Sequence, residues 1–321
     1  MARLLLRSPQ YITVSSGASA KLTISIDTVG NGSYVLRYTI IKNAINNRVV
    51  FEISELCRDY IEHSFTQPNA SSTIGIRTQR FSYTEANGGG TETSLDTTPV
   101  TNIGQDGYGL FKDDVNPTVE GITGTTLGTA LQTNTDIYLP PSTASYIPVN
   151  YGDTYYETSA AATDGTKYYV GDPLRTFTIR TICDAKFGSS KITFVNRFGA
   201  LQEMYFFHKS TEDITTTSES YKRNIFDYST TSYSSTDHQM QKFNTNATKK
   251  TTLNTPFVTE QFNDVIEELM LSEYVWLTQG SVTHPVTPST KSLRFKTSVN
   301  DKLVQYTIEF DHTSSVINNV R

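Results

Sequence analysis

The chain has 321 residues, of which 36 % are hydrophobic and 18 % charged, and its formal net charge is −5 at pH 7. Because basic residues form neither a surplus nor a long run, the composition argues against a nucleic-acid partner. No apolar stretch approaches the roughly 18 residues of a membrane-spanning helix, so we expect no membrane contact. The short apolar run that ends at Arg7 also falls well short of a signal-peptide core.

The length exceeds what one hydrophobic core usually serves, so two domains are expected. Threonine is the commonest residue, and 19 tyrosines and 16 phenylalanines accompany it. β-branched and aromatic side chains favour strands over helices. The two cysteines, Cys57 and Cys183, are too few for a disulfide framework and are expected to be buried thiols.

The first predicted domain, residues 1–83, begins with strands over residues 11–53. Leu22, Ile24 and Ile26 alternate with polar residues, which is the period-2 signal of a half-buried strand. Tyr34, Leu36, Tyr38 and Ile40 continue the alternation after a glycine-rich turn, and residues 74–83 return to strand character.

A helix is predicted within this domain at residues 53–63, where the apolar spacing changes to 3.6 residues. Ile53, Leu56, Cys57, Tyr60 and Ile61 share one face, and charged residues occupy the opposite face. Cys57 should therefore lie on the buried side of the helix.

Residues 84–128 are rich in Gly, Thr, Asn and Asp, which predicts a long polar loop or insertion. Residues 129–173 are rich in tyrosine and contain several prolines, which indicates irregular strands or an extended arm. Since few apolar partners lie nearby in sequence, we expect residues 84–173 to contact other subunits. The interface candidates in this segment are Tyr138, Tyr146, Tyr151 and Tyr155.

The second predicted domain, residues 174–321, contains regular strands at 175–183, 191–196 and 201–208. Residues 211–252 are rich in Ser and Thr with spaced aromatics, a composition typical of long exposed strands. The combined prediction is a mainly β fold, with two β-sandwich-like domains separated by the polar insertion.

The second domain also contains one predicted helix, at residues 259–271, with Thr259 as its N-cap. Phe262, Val265, Ile266, Leu269 and Met270 form its apolar stripe. A C-terminal hairpin should follow. Its first strand includes Leu293, Phe295 and Thr297, and its returning face is formed by Val304, Tyr306, Ile308 and Phe310.

Catalytic patterns are weak throughout the chain. His208 near Glu203 and Asp213 permits a charge-relay interpretation, but no nucleophile signature accompanies it, and a strand histidine is the favoured interpretation. The five histidines (63, 208, 238, 284 and 312) show no metal-binding spacing.

The sequence contains two adjacent carboxylate pairs that could take part in catalysis or bind a metal. Glu267–Glu268 is interpreted as solvated helix surface, and Asp113–Asp114 lacks the ligand spacing of a calcium loop. We therefore expect no enzyme activity, no cofactor and no metal.

Trp276, with Tyr274 beside it, is a further interface candidate. Its ring could stack on a sugar or anchor in a partner's pocket, because aromatic residues often dominate interfaces. The alternative is that both rings pack beneath the preceding helix.

Three stretches together resemble virion proteins of tailed bacteriophages. The opening residues 6–12, with 53–56 and 59–61, resemble the start of these proteins, and Phe194–Ala200 resembles their F-x-N-R-x-G strand–turn–strand. Residues 269–276, with Pro285–Val286 and Lys296–Thr297, resemble their closing helix and hairpin. The stretches cover less than half of the chain, and none is a catalytic fingerprint.

This resemblance implies a structural subunit of the particle, in the tail, baseplate or neck, that assembles with other virion proteins and with copies of itself. Its location would then be the virion, after synthesis in the host cytoplasm. The alternatives are a glycan-binding or host-recognition module, which would bind a host glycan, and a capsid decoration protein. A hydrolase is a third, weaker class.

Overall fold

The structure is a computed structural model of the whole chain. The residues that it describes are 2–65, 72–86, 89–113, 119–120, 129–149, 155–171, 173–181, 188–292, 294 and 304–317. Strands make up 53 % of the residues and helices 7 %, which confirms the predicted mainly β class. The sandwich arrangement and the division into domains stay predictions.

The first half is built on a seven-stranded sheet, with a separate two-stranded ribbon and one short helix. In chain order its elements are β1 (Ala2–Leu5), β2 (Tyr11–Ser15), β3 (Ser19–Asp27), β4 (Val35–Asn43), β5 (Arg48–Glu52), α1 (Ser54–Arg58), β6 (Thr73–Ala86), β7 (Gly89–Ser94), β8 (Val100–Gln105), a 3-10 turn (Phe111–Asp113) and β9 (Val119–Glu120). The sheet order is β4-β3-β6-β8-β1-β9, β7 pairs with β6, and β2 pairs with β5.

Strand β3 supplies much of the first core. Leu22, Ile24 and Ile26 are buried, as their alternation predicts, and pack with Val14, Phe51 and other apolar residues of the first half. The partner strand β4 follows the prediction only in part. A register shift opposite Ile24 and Ser25 leaves Leu36 exposed, whereas Tyr38 and Ile40 pack against the core.

Helix α1 spans only Ser54–Arg58 and is therefore shorter than the predicted helix at residues 53–63. Beyond it, Tyr60 and Ile61 donate backbone hydrogen bonds to Cys57 and Arg58, the tighter i→i+3 pattern, so the helix ends. The predicted apolar stripe still packs against the core, and Cys57 is a buried free thiol, as expected. Burial raises the pKa of this thiol to about 12. Cys183 lies outside the described residues.

The predicted long loop from residue 84 is wrong over residues 84–86 and 89–105, which belong to the first sheet. Strand β6 continues to Ala86 and forms a hairpin with β7, while β8 lies between β6 and β1. Threonine-rich segments form strands readily, but these segments lack the apolar alternation that a sequence reveals. The sheet therefore extends past residue 83. Most of residues 114–128 lie outside the described part of the chain.

The second half contains a further seven-stranded sheet, a three-stranded sheet and two short ribbons. Its elements are β10 (Asp136–Leu139), β11 (Tyr146–Pro148), β12 (Tyr155–Glu157), β13 (Lys167–Val170), β14 (Arg175–Thr181), β15 (Ser190–Val195), β16 (Leu201–Phe206), β17 (Thr211–Lys222), β18 (Phe226–Asp227), β19 (Ser232–Tyr233), β20 (Met240–Asn254), a 3-10 turn (Glu260–Phe262), α2 (Asn263–Leu271), β21 (Val275–Gln279), β22 (Val282–Pro288) and β23 (Thr307–His312). The large sheet has the order β16-β15-β21-β22-β23-β20-β17.

Helix α2 lies where the sequence predicts it. The 3-10 turn begins after Thr259, which has extended backbone angles but makes no side-chain capping hydrogen bond. Phe262, Ile266 and Leu269 are buried in one core cluster with Ile308 and Phe310 of β23. The first strand of the predicted C-terminal hairpin lies outside the described residues, apart from Arg294.

Of the two interpretations of residues 129–173, irregular strands are confirmed over the described residues by β10, β11, β12 and β13, and the extended arm is wrong. Leu131 is buried against the first half, and Leu139, Ile147 and Val170 are buried in the second core. Strand β10 pairs in parallel with β14, which tethers this segment to the rest of the second half. Its apolar residues are spaced too irregularly to predict burial from sequence.

Candidate functional site: an exposed hairpin arm

A long two-stranded hairpin projects from the large sheet of the second half. We call residues 209–245 the arm. Every residue of the arm is exposed except Ile225, which is half-buried. The prediction of long exposed strands in this region is therefore confirmed for the arm, while the base of β20 enters the core at Thr251 and Leu253.

The arm is held together by its own backbone hydrogen bonds. Strands β17 and β20 pair from Thr211 opposite Thr252 to Lys222 opposite Met240, with a register shift beyond Thr217. The shift coincides with Asn244, whose φ of 50° lies in the left-handed region that asparagine tolerates better than most residues. An extra residue on one strand increases the local twist of a hairpin.

The tip of the arm is a second, smaller hairpin formed by β18 and β19, with Phe226 opposite Tyr233. The carboxylate of Asp227 accepts hydrogen bonds from the backbone and hydroxyl of Ser229 and from the hydroxyl of Thr230. These bonds, led by the Ser229 hydroxyl, lower the pKa of Asp227. Asp227 therefore fixes the turn that presents the aromatic residues.

Large apolar side chains lie along the whole arm without a core to bury them. The exposed set is Ile214, Tyr221, Phe226, Tyr228, Tyr233, Met240 and Phe243. Tyr221 packs edge-on against Phe243 with ring centroids 5.7 Å apart, and Phe226 packs similarly against Tyr228 at 5.0 Å. A two-stranded hairpin is marginally stable by itself in water, and clustered exposed apolar residues mark interaction surfaces.

The tyrosines predicted as interface candidates lie outside the arm. For Tyr138 the prediction of a side chain exposed to a partner is wrong. Its ring is buried edge-on against Phe262, and its hydroxyl accepts a hydrogen bond from the backbone of Thr259. Tyr146 and Tyr155 form a half-buried edge-to-face pair with centroids 4.9 Å apart. Tyr151 lies outside the described residues.

Trp276 is half-buried, on the opposite face of β21 from the core residues Val275 and Leu277. Its indole stacks near-parallel to Tyr274 at 6.3 Å and lies 5.7 Å from the ring of Phe65. Trp276 therefore contacts an aromatic residue of the first half of the chain.

The F-x-N-R-x-G stretch forms a tight turn that joins the two halves. The Asn196 carboxamide accepts hydrogen bonds from the backbone of Phe198 and Ala200 and donates one to the carbonyl of Leu131. Gly199 adopts a φ of 75° at the turn, a conformation that favours glycine. The Tyr108 backbone donates a hydrogen bond to the carbonyl of Arg197, so the turn is fixed to the first half.

The sequence predicts that Glu268 lies on the solvated helix surface, and this prediction is wrong, because only 2 % of the residue is exposed. Its carboxyl accepts hydrogen bonds from the hydroxyl of Thr133 and the backbone of Arg197. Burial raises its pKa to about 7, since desolvation outweighs these two donors. Its neighbour Glu267 does lie near the surface, where it pairs with Lys112 at 3.2 Å.

A second buried charge cluster, absent from the sequence predictions, links the halves. Asp106 accepts hydrogen bonds from Nε of Arg58 at 2.7 Å and contacts Nε2 of His63 at 2.9 Å. Burial raises the pKa of Asp106, but the His63 and Arg58 contacts outweigh it and hold the pKa below its ordinary value. Arg58 also pairs with Glu273, which follows helix α2.

The residues considered for a charge relay, His208, Glu203 and Asp213, do not come together in the structure. His208 contacts the side chain of Gln305 at 2.7 Å, whereas Glu203 pairs with Lys191 and Asp213 lies on the exposed strand β17. The His63–Asp106 contact resembles half of a charge relay, but Nδ1 of His63 has no hydrogen-bond partner among the described residues. Within the same part of the chain, no group of three His, Cys, Asp or Glu side chains could hold a metal ion. Asp114 lies outside it.

No protein-family model, curated protein or solved structure matches the chain. Over the described residues, no helix is long and apolar enough to cross a membrane. The exposed apolar side chains of the arm are the structural feature that points most directly to a function.

Proposed function

We propose that this chain is a structural subunit of a tailed-phage particle, in the tail, baseplate or neck, that acts by protein–protein assembly. The observation that carries the proposal is the arm, a long hairpin that exposes seven large apolar side chains. Contact with neighbouring subunits would bury those side chains and order the hairpin at the same time.

The energetics of the arm favour an assembly role. Ordering the backbone costs roughly 1–2 kcal/mol per residue, and burial of apolar surface is the main term that offsets this cost. The arm has hydrogen bonds between its strands but no core on either face. A partner that covers the Tyr221–Phe243 and Phe226–Tyr228 pairs supplies the missing burial.

The stretches that resemble phage virion proteins support the same interpretation. The Asn196 turn, Glu273 after helix α2 and Arg58 of α1 belong to or adjoin those stretches, and all three take part in contacts between the two halves. The resemblance therefore falls on residues that stabilise the subunit, as expected of a building block.

A glycan-binding or host-recognition module is the second candidate, and the tip of the arm favours it. Phe226, Tyr228 and Tyr233 are exposed there, and aromatic rings of this kind can stack on sugars. A capsid decoration protein would use the same arm against the capsid shell, so only the position in the particle separates it from the main proposal.

The test is to purify particles of the phage whose genome encodes this chain and to look for the chain by mass spectrometry and in a density map. We expect stoichiometric amounts in the tail, baseplate or neck. Density on the capsid shell would favour the decoration protein. Absence from washed particles, together with glycan-array binding that Tyr228→Ala abolishes, would replace the proposal by the recognition module.

A shortened variant tests the arm itself. Replacing residues 218–245 by Asn-Gly joins Thr217 to Asn246, which already pair, through a two-residue hairpin turn. We expect the variant to fold with unchanged stability but to fail to enter particles in a complementation assay. Lys167→Glu, an exposed charge change on β13, is the control and should enter normally.

A further inference from the structure

Among the described residues, the first large sheet ends in β4 and the two-residue strand β9, and the second ends in β17 and the mostly buried strand β16, so β4 and β17 are the long, exposed edges. An edge strand presents free backbone donors and acceptors and is a template for a strand from another chain. Strand β4 has nine residues and β17 has twelve, so each is long enough for a continuous ladder.

Both edge strands are open to solvent. The apolar residues Val35, Leu36 and Ile41 of β4 are exposed by 48 %, 58 % and 47 %. Ile214 and Tyr221 of β17 are exposed by 60 % and 46 %. Apolar side chains directly opposite each other on paired strands contribute to sheet stability, so pairing of these two strands would bury side chains that water now covers.

The charges of the two strands are complementary. Strand β4 contains two cations, Arg37 and Lys42, and no carboxylate. Strand β17 contains three carboxylates, Glu212, Asp213 and Glu219, against one cation at its end. Opposite charges on neighbouring strands stabilise their pairing, whereas two copies of β17 side by side would place like charges together.

None of the contacts described below for these charged groups is a short, buried ion pair, so the groups can also pair with charges on another chain. The Arg37 guanidinium lies 5.1 Å from the ring centroid of Tyr60, and the Lys42 ammonium donates to the carbonyl of Val50 and also favours the ionised form of Glu52. On β17, Glu212 approaches Lys249 only to 3.9 Å, and both side chains are well exposed.

We infer that β17 of one copy of this chain adds to the edge of β4 of a second copy, so that the subunits assemble head to tail. The inference rests on the proposed function and specifies its partner. A one-way contact of this kind is heterologous and generates a ring or a helical filament, whereas a closed two-fold dimer would form only if the two copies exchanged their β17 strands reciprocally.

The test is a charge swap in the full-length chain, followed by sedimentation velocity and native mass spectrometry. One variant is Glu212→Lys/Glu219→Lys, and the other is Arg37→Glu/Lys42→Glu. Each alone should self-associate roughly tenfold or more weakly than the wild type, because like charges then face each other. An equimolar mixture should recover association, since each altered strand then meets an oppositely charged partner.

Matched controls use exposed charges away from both edges. Glu62→Lys/Glu260→Lys and Lys167→Glu/Lys291→Glu should associate as the wild type does. A carbodiimide cross-link between Lys42 and a β17 carboxylate, joining differently isotope-labelled copies, should form in the wild type and not in the Lys42 variant.

A wild-type chain that stays monomeric at the highest soluble concentration would overturn the inference, as would a mixture that fails to recover association. If particle proteomics still finds the chain while the swap fails, the partner of the arm is a different virion protein and the proposed function stands. If the swap succeeds but particles lack the chain, the self-assembly stands and the phage role fails.

Discussion

Gly107 and Gly199 lie against each other where the two halves of the chain meet. A Cβ atom on Gly107 would lie 2.6 Å from the carbonyl oxygen of Arg197, and one on Gly199 would lie 2.8 Å from the backbone nitrogen of Asp106. The contact is between backbones, so no side-chain movement can relieve it. The junction therefore depends on glycine on both sides.

Gly107→Ala should destabilise the protein by about 1–3 kcal/mol, the usual cost of overpacking a close contact. Chemical denaturation measures the change. The control is Gly188→Ala, because among the described residues, its chain neighbours aside, no atom lies within 4 Å of its would-be Cβ. Equal stabilities of the two variants would contradict the close contact at Gly107.

Leu269→Ala should cost about 2–5 kcal/mol, since this side chain is fully buried in the second core. Leu271→Ala lies two residues further along the same helix, is 43 % exposed, and should change stability by about 0.5 kcal/mol or less. A loss below about 0.5 kcal/mol at position 269 would mean that α2 does not pack on the core.

Glu268 should make stability fall as pH rises. Burial raises its pKa from 4.5 in the unfolded chain to about 7 in the folded protein, so the folded state binds this proton more tightly. Between pH 4 and pH 9 the wild type should lose on the order of 3 kcal/mol relative to Glu268→Gln. Parallel stability curves for the two proteins would show that the carboxyl titrates normally.

Asp106 should have the opposite dependence. Its folded-state pKa is lowered, so its stabilising contribution is present above the unfolded pKa and is lost as pH falls through the folded one. Asp106→Asn should cost about 3–5 kcal/mol at pH 7, because it leaves buried groups without their partner, and the cost should shrink below about pH 4.

The control for Asp106 is Asp264→Asn. Asp264 pairs with Lys112 at 3.3 Å, but both side chains are more than half exposed. Such surface pairs contribute about 1 kcal/mol or less, so this variant should be nearly neutral at every pH. A similar effect at both positions would argue against a buried cluster around Asp106.

Hydrogen exchange should separate the arm from the rest of the chain. Amides of residues 211–222 and 240–245 should exchange fast in the free protein, because nothing covers the hairpin, and should become protected in the assembly. Strands β3 and β15, which lie in the interiors of the two large sheets, serve as the internal reference. Strong protection of the arm in the free chain would mean that it is stable without a partner.

Sequence patterns predicted the features that depend on near neighbours. The alternation of Leu22, Ile24 and Ile26 correctly predicted their burial, and the 3.6-residue spacing of Phe262, Ile266 and Leu269 correctly predicted α2. The Ser- and Thr-rich composition of residues 211–252, with its spaced aromatics, predicted long exposed strands. Each of these signals comes from residues a few positions apart.

The tertiary structure alone decided the rest. Asp106 lies 48 residues from Arg58 in the chain, and Arg58 lies 215 residues from Glu273, so no local pattern could place them together. Tyr138 and Glu268 are buried because other segments cover them, and β8 is a central strand because β1 and β6 pair with it. Periodicity records which face of an element is apolar, whereas the burial of a polar group depends on what the fold packs against it.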